Sequence, residues 1–344
     1  MFSVGILNLI TPTNPDIFIS HQENVHILYS AIHSVEQKLI ITLNNCIHLE
    51  LDLIQKILNL YYNILSLVNP HVNSSIIPIQ KFDHLAQTME DLDVIFGTTS
   101  NLEEYKTQII EINEIRSKNS LKPLKFYLCE KQGMNLTISV DNLSTWNQEI
   151  IEKEEEILKP ENLQIQHPTF DGVVLGGTFD RLHAGHRALL TIAALIANKR
   201  LLIGITSGKF LLGNKLHANM IQPFDVRVNA VVQFISLIKP GLILDTIRLT
   251  DPFGESKTDP NVQAIVVSEE TRKSAQKLNE IRIGNNLQAL EIVVIDYVQG
   301  FAYVGNEDFK LSSSYFRHQE WVQSQKKLLR KGKQKQLLKE SKLI

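Results

Sequence analysis

Cysteine is scarce in this sequence: there are two in 344 residues, Cys46 and Cys129, and neither has a partner at a metal-binding spacing. That excludes a disulfide framework and a cysteine-based zinc site, and it implies buried free thiols in a reducing compartment. No run approaches the ~20 apolar residues that a membrane-spanning helix needs. The opening residues, MFSVGILNLITPTNPDIF, lack a basic cluster and an arginine-rich amphipathic pattern. They read as a first strand, not as a signal or transit peptide. Net charge is small, −2 overall, but unevenly placed. Residues 1–170 hold 11 Lys and Arg against 21 Asp and Glu, whereas residues 326–344 hold 8 basic residues and Glu340 as the single acid. An acidic first half excludes nucleic acid as the main partner. A P-loop is missing too. The nearest approach, Gly204 to Lys209, has three residues between its glycines where four are needed, and Phe210 stands where Ser or Thr is required. No internal repeat is evident.

What is present is ordinary globular material: 43% hydrophobic and 21% charged residues, enough for two domains. Residues 149–168, EIIEKEEEILKPENLQIQHP, are charge-dense and read as a solvated helical linker that stops at Lys159-Pro160. The expected organisation is an α/β domain over 1–148, the linker, a second domain over 169–325 and a basic tail over 326–344. In the first domain SVGILNL, KLIITLNN and DLDVIFGT read as strands, between runs with apolar residues at helical spacing. Its histidines (His21, His26, His33, His48, His71 and His84) are scattered and read as structural. In the second domain five short apolar runs, starting at Gly172, Arg200, Leu242, Ala264 and Leu290, alternate with helical patterns. That alternation predicts a doubly wound parallel five-stranded sheet, with its ligand site beyond the carboxyl ends of the strands.

The first strand-to-helix junction there is GGTFDRLHAGH, residues 176–186. Gly176 and Gly177 permit a sharp turn and a close approach to a ligand. His183 and His186 are three residues apart, on one face of the first helical turn. A helix start offers unpaired N–H groups and a partial positive charge. Two imidazoles over it make a site for phosphate oxygens.

GGTFDRLHAGH is similar to the (T/H)xGH signature of the nucleotidyltransferase superfamily. Together with VVSEET (266–271) and KLSSSYFR (310–317), it closely resembles the eukaryotic and archaeal type of phosphopantetheine adenylyltransferase, which is also the adenylyltransferase domain of eukaryotic coenzyme A synthase. The resemblance covers about residues 170–325 and implies a Rossmann-like nucleotidyltransferase that moves AMP from ATP to 4′-phosphopantetheine. Magnesium would enter with ATP, without protein side chains as its ligands. By the same resemblance His186 would hydrogen-bond the α-phosphate and His183 would support the nucleotide phosphates. Gly176, Gly177, Thr178 and Phe179 would line the ATP site, with Thr178 also touching the acceptor. Lys215 matches a family lysine on the reacting phosphates, with Lys209 the weaker candidate and more readily a solvated surface lysine. Arg227 stands where the family places an arginine, for phosphate contact or for a structural ion pair. Arg282 would reach the triphosphate. Ser312, Ser313, Ser314 and Arg317 resemble the family's ISSTxxR motif, which holds the β- and γ-phosphates, although Leu311, Ser314, Tyr315 and Phe316 depart from it.

With no P-loop the chain is expected to be monofunctional like fungal members, cytoplasmic or also nuclear, with a separate dephospho-coenzyme A kinase or another pathway protein as partner. The alternatives are a cytidylyltransferase, a nicotinamide mononucleotide adenylyltransferase, or a non-catalytic scaffold of a coenzyme A-synthesising complex. The tail reads as a frayed solvated helix, or as a docking segment for an acidic partner or an anionic membrane surface.

Overall fold

The computed structural model describes residues 1–9, 17–43, 46–98, 102–129, 165, 167–295 and 312–340. The expected linker lies almost wholly outside them, as do Lys310 and Leu311. The first half runs β1 (Phe2–Leu9), α1 (Ile17–Ser34), β2 (Val35–Leu43), α2 (Leu51–Val68), β3 (Asn73–Ile77), α3 (Phe82–Thr88), β4 (Val94–Gly97), α4 (Leu102–Lys118) and β5 (Lys125–Leu128). The second runs β6 (Phe170–Gly177), α5 (Ala184–Ile196), β7 (Ala197–Thr206), α6 (Phe224–Ile238), β8 (Ile243–Leu249), β9 (Ala264–Ser268), α7 (Arg272–Gly284), β10 (Glu291–Ile295) and α8 (Ser313–Glu340). The long helix α8 passes through 325–326 without a break, so the basic tail continues the last helix. Among the described residues no helix is long and apolar enough to cross a membrane.

Each half builds a parallel five-stranded sheet. The orders are β3-β2-β1-β4-β5 and β8-β7-β6-β9-β10, which are the same order. Every strand pair in both sheets is parallel. The identity reaches single hydrogen bonds, at an offset of 166 residues, or of 170 for the carbonyls that accept from the two arginine Nη1 groups. Asn113 donates to the Leu124 carbonyl (3.1 Å) and accepts from the Leu124 N–H (2.7 Å). Asn279 does the same with Leu290 (2.9 and 2.8 Å). Arg116 donates from Nε to the Lys122 carbonyl and from Nη1 to Ala86 and Met89. Arg282 donates from Nε to the Gln288 carbonyl and from Nη1 to Ser256 and Asp259. Ser120 and Asn286 follow these helices in the left-handed conformation, with φ of 57° and 60°. The chain thus contains an internal structural repeat, which corrects the reading of none. Its sequence trace is NEIR at 113–116 and again at 279–282.

The halves share one hydrophobic cluster. Helix α2 buries Leu53, Ile54, Ile57, Leu58, Tyr61, Tyr62, Ile64 and Leu65 at three- and four-residue spacing. It packs against α5, whose own apolar residues leave it buried nearly all round. Polar contacts tie the same seam. Gln55 Nε2 donates to the Val294 carbonyl, Gln80 Nε2 to the Leu237 carbonyl, and Arg187 Nη1 to the Ser75 hydroxyl (2.9 Å). Cys46 and Cys129 are buried free thiols, as their scarcity implied.

Candidate active site

The strand β6 ends at Gly176-Gly177, and the chain reaches α5 through Thr178–His183. Phe179 and Arg181 both take the left-handed conformation, with φ of 50° and 47°. Such backbone costs about 1–3 kcal/mol per non-glycine residue and persists only where the surroundings over-determine it. Here they do. The Phe179 ring is fully buried, lying over Gly177 and 5.4 Å from the His186 ring. Arg181 is held by Asp180, Glu320, the Met220 carbonyl and the Gln222 side chain.

Gly177 has no side chain because the chain's own phenylalanine fills that space. A Cβ at Gly177 would sit 2.9 Å from the Phe179 ring, whereas one at Gly176 would meet nothing nearer than 3.5 Å. Gly177→Ala is therefore expected to destabilise by about 1–3 kcal/mol, and Gly176→Ala by much less, as read from paired urea melts. Equal effects would remove Phe179 as the reason for Gly177.

His183 is the N-cap residue of α5 and has extended backbone. Its ring stacks on that of His186, with centroids 3.9 Å apart and planes at 28°. Phe316 of α8 also stacks on His183, with ring centroids 6.2 Å apart. Burial, with Arg187 and then Lys215 nearby, pushes the His186 pKa down to about 3. His186 is thus a neutral imidazole, able to donate one hydrogen bond without adding charge to the helix start. Burial lowers the Lys215 pKa, and the Arg317 charge lowers it further, against an upward pull from Asp180. Lys215 therefore shares the neighbourhood of both motifs.

The start of α8 is clamped onto this loop. Arg317, 1% exposed, donates from Nη1 to Asp180 Oδ2 (2.5 Å), from Nε to the Leu216 carbonyl (2.8 Å) and from Nη2 to the Ser314 hydroxyl (2.9 Å). The Ser313 hydroxyl donates to the Asp180 carbonyl (2.7 Å). Ser312 caps the helix, accepting from the Tyr315 N–H through its hydroxyl (3.3 Å). Two helix N-termini thus meet at one strand end, with His183 and the neutral His186 on one and serines on the other. That arrangement suits a chain of phosphates.

Residues 174–319 match the cytidylyltransferase-like family model. Over 163 residues the chain is 37% identical to phosphopantetheine adenylyltransferase of Saccharomyces cerevisiae, covering 47% of this chain and 52% of that protein. The match thus spans about half the length of the yeast relative. Over 149 residues it is 39% identical to phosphopantetheine adenylyltransferase of Pyrobaculum aerophilum, covering 43% of this chain and 90% of that protein. With the relative of the same name from Methanopyrus kandleri the figures are 36% identity over 148 residues, 43% and 89%. The chain belongs to the phosphopantetheine adenylyltransferase family.

Against the family pattern, His183, His186, Lys215, Thr178, Ser312, Ser313, Ser314 and Arg317 come together at one strand end. Three other expected contacts do not. The Phe179 side chain is in the core and out of reach of ATP. Arg227 is 2% exposed; its Nη1 donates to the carbonyls of Thr178 (2.6 Å) and Thr206 (3.0 Å), and its Nε to that of Gln222. It braces the loop from behind and is not a substrate contact. Arg282 is 1% exposed and bonded to backbone carbonyls ahead of β9 and β10, at the edge of the sheet away from the site. It cannot reach the triphosphate from there. Thr178 accepts from the Thr206 hydroxyl (3.0 Å), which leaves its own proton for a ligand.

Sequence reasoning missed Asp180, the hub of the clamp. This carboxylate is fully buried and accepts from Arg181, from Arg317 and from the Gln222 N–H (3.0 Å). Its signal was present: it is the single acid between strand and helix in GGTFDRLHAGH. Among the described residues no cluster of three His, Cys, Asp or Glu is placed to hold a metal ion.

Proposed function

We propose that the chain transfers AMP from ATP to 4′-phosphopantetheine, forming dephospho-coenzyme A and pyrophosphate. The observation that carries this reading is the clamped pair of helix starts, set within a stretch that matches nine-tenths of an archaeal phosphopantetheine adenylyltransferase. A phosphate oxygen of the acceptor attacks the α-phosphorus in line. The bond from that phosphorus to the bridging oxygen breaks, and pyrophosphate leaves with the electron pair. No side chain needs to form a covalent intermediate. The protein's part is positioning and neutralisation of charge. His186 donates a hydrogen bond to the α-phosphate as its charge grows, and Lys215 adds a cation. The N–H groups of the first turns of α5 and α8 face the phosphates. Asp180, the carboxylate of this loop, is already paired with two guanidiniums. That carboxylate is therefore not free to hold magnesium, which would enter with the triphosphate and be held by its oxygens and water.

Purified protein with ATP, magnesium and phosphopantetheine is expected to release pyrophosphate. Parallel reactions with CTP and choline phosphate, or with ATP and nicotinamide mononucleotide, are expected to release none. Release with either of those acceptors and none with phosphopantetheine would overturn the acceptor. No release with any of them would favour the scaffold reading.

A further inference from the structure

The seam between the two halves holds a half-open pocket of about 340 Å³. Its walls include His71, Asn73 and Ser74 from the first half and Arg181, His183 and Arg187 from the second. Among the described residues no Asp or Glu lines it. The two arginines differ. Arg181 is balanced by Asp180 and Glu320. Arg187 is 8% exposed and has no ion pair among the described residues. Its Nε donates to the Leu182 carbonyl (3.2 Å), its Nη1 to the Ser75 hydroxyl, and the guanidinium lies 4.9 Å from the centre of the Phe234 ring. Burial pushes its pKa down to about 10, against an upward pull from Tyr62. A buried arginine without a carboxylate partner, on the wall of an acid-free pocket, favours an anion there.

We propose that this cavity binds the phosphate group of a small molecule distinct from the two reactants. Arg187 supplies the charge, in the fork geometry that suits phosphate. His71, Asn73 and Ser74 supply hydrogen bonds from the first half. The volume admits a phosphate and a short organic portion. Half of the lining comes from the first copy of the fold. The Pyrobaculum relative has only a tenth of its length outside the match, too little to form such a copy. The site therefore belongs to two-halved chains and not to the reaction shared across the family. His183 is part of its wall, so occupancy places negative charge beside the reacting phosphates and opposes ATP binding.

Inorganic phosphate is the probe, with chloride at matched ionic strength as control, and thermal melting of the full chain as readout. Phosphate is expected to raise the melting temperature of the wild type. The rise is expected to persist in Lys215→Ala, which alters the reaction site, and to vanish in Asn73→Asp. The carboxylate introduced by that change places a fixed negative charge on the wall that Arg187 shares, so the variant is also expected to melt higher than wild type without phosphate. Asn73 is exposed and the change is isosteric, so folding is not at risk. His71→Ala, also at an exposed position, is the second variant and is expected to weaken the response. No phosphate-specific rise in the wild type, or a full rise in Asn73→Asp, overturns the proposal. So does loss of the rise in Lys215→Ala with retention in Asn73→Asp. These melts need no turnover, so they stand or fall apart from pyrophosphate release.

Discussion

His186→Ala is expected to slow pyrophosphate release by about 10²–10³-fold, the usual effect of removing one donor aimed at developing charge, while the chain still folds. The ring is held between Phe179 and His183, and its Nδ1 is buried with no hydrogen-bond partner among the described residues. The pKa near 3 makes it neutral across the working range. Its contribution is then a fixed hydrogen bond and not a proton transfer. The rate should therefore show no ionisation of this group between pH 6 and 8; an inflection near 6.5 that disappears in His186→Asn would sink this account. Stability carries the opposite trace. The unfolded imidazole takes up a proton near pH 6.5, while the folded one resists until about 3. Between those values the unfolded state binds more protons, so stability falls as pH falls through the window. Wild type should lose more stability than His186→Asn between pH 7.5 and 5 in urea melts.

Much of the second half was legible because its strands are continuous apolar runs covered on both faces, which leave little ambiguity of period. GGTFDRLHAGH was legible because glycines and histidines at a strand end have few other uses. The first half was harder. Strand β3 is NSSII, with Ser74 and Ser75 buried, and Ser75 is there because it accepts from Arg187 across the seam. A polar strand whose purpose lies 112 residues away carries no local signal. Strand β5 has four residues alternating between exposed and half-buried. The repeat escaped notice because identity was kept chiefly in the last turns of α4 and α7. There an asparagine and an arginine must satisfy backbone groups in the same places, and elsewhere only apolar character was needed. The same physics misled the reading of arginines. Arg227 and Arg282 looked like phosphate ligands because they are cations in a nucleotide-binding domain. Both instead saturate inward-facing carbonyls, a need that only the folded chain reveals. The partners of each guanidinium separate the two uses, and those partners are not written beside it in the sequence.

Asp180→Ala is expected to be the most damaging single change for both stability and turnover. Asp180 is fully buried, and its two oxygens accept from Arg181 at 2.8 and 3.0 Å, Arg317 at 2.5 Å and the Gln222 N–H at 3.0 Å. Removing the carboxylate leaves Arg317, itself 1% exposed, with a buried charge and no counter-ion. Breaking a buried pair from one side costs about 3–5 kcal/mol. The cost falls on the site because Arg317 and Ser313 fix the start of α8 against the loop that carries His183 and His186. Loss of the clamp separates the two helix N-termini, and a displacement of about 1 Å there is enough for a 10²-fold loss in rate. Asp180→Asn keeps the shape and the Gln222 contact but not the charge, and should fall between wild type and Asp180→Ala. Arg317→Met supplies the decisive cycle. If the penalty is an unpaired buried charge, Asp180→Ala with Arg317→Met is destabilised by less than the sum of the single changes, measured by urea unfolding. Additive losses would mean that the two residues do not act as a pair. Turnover should not recover in the double variant, because relieving the charge does not rebuild the clamp.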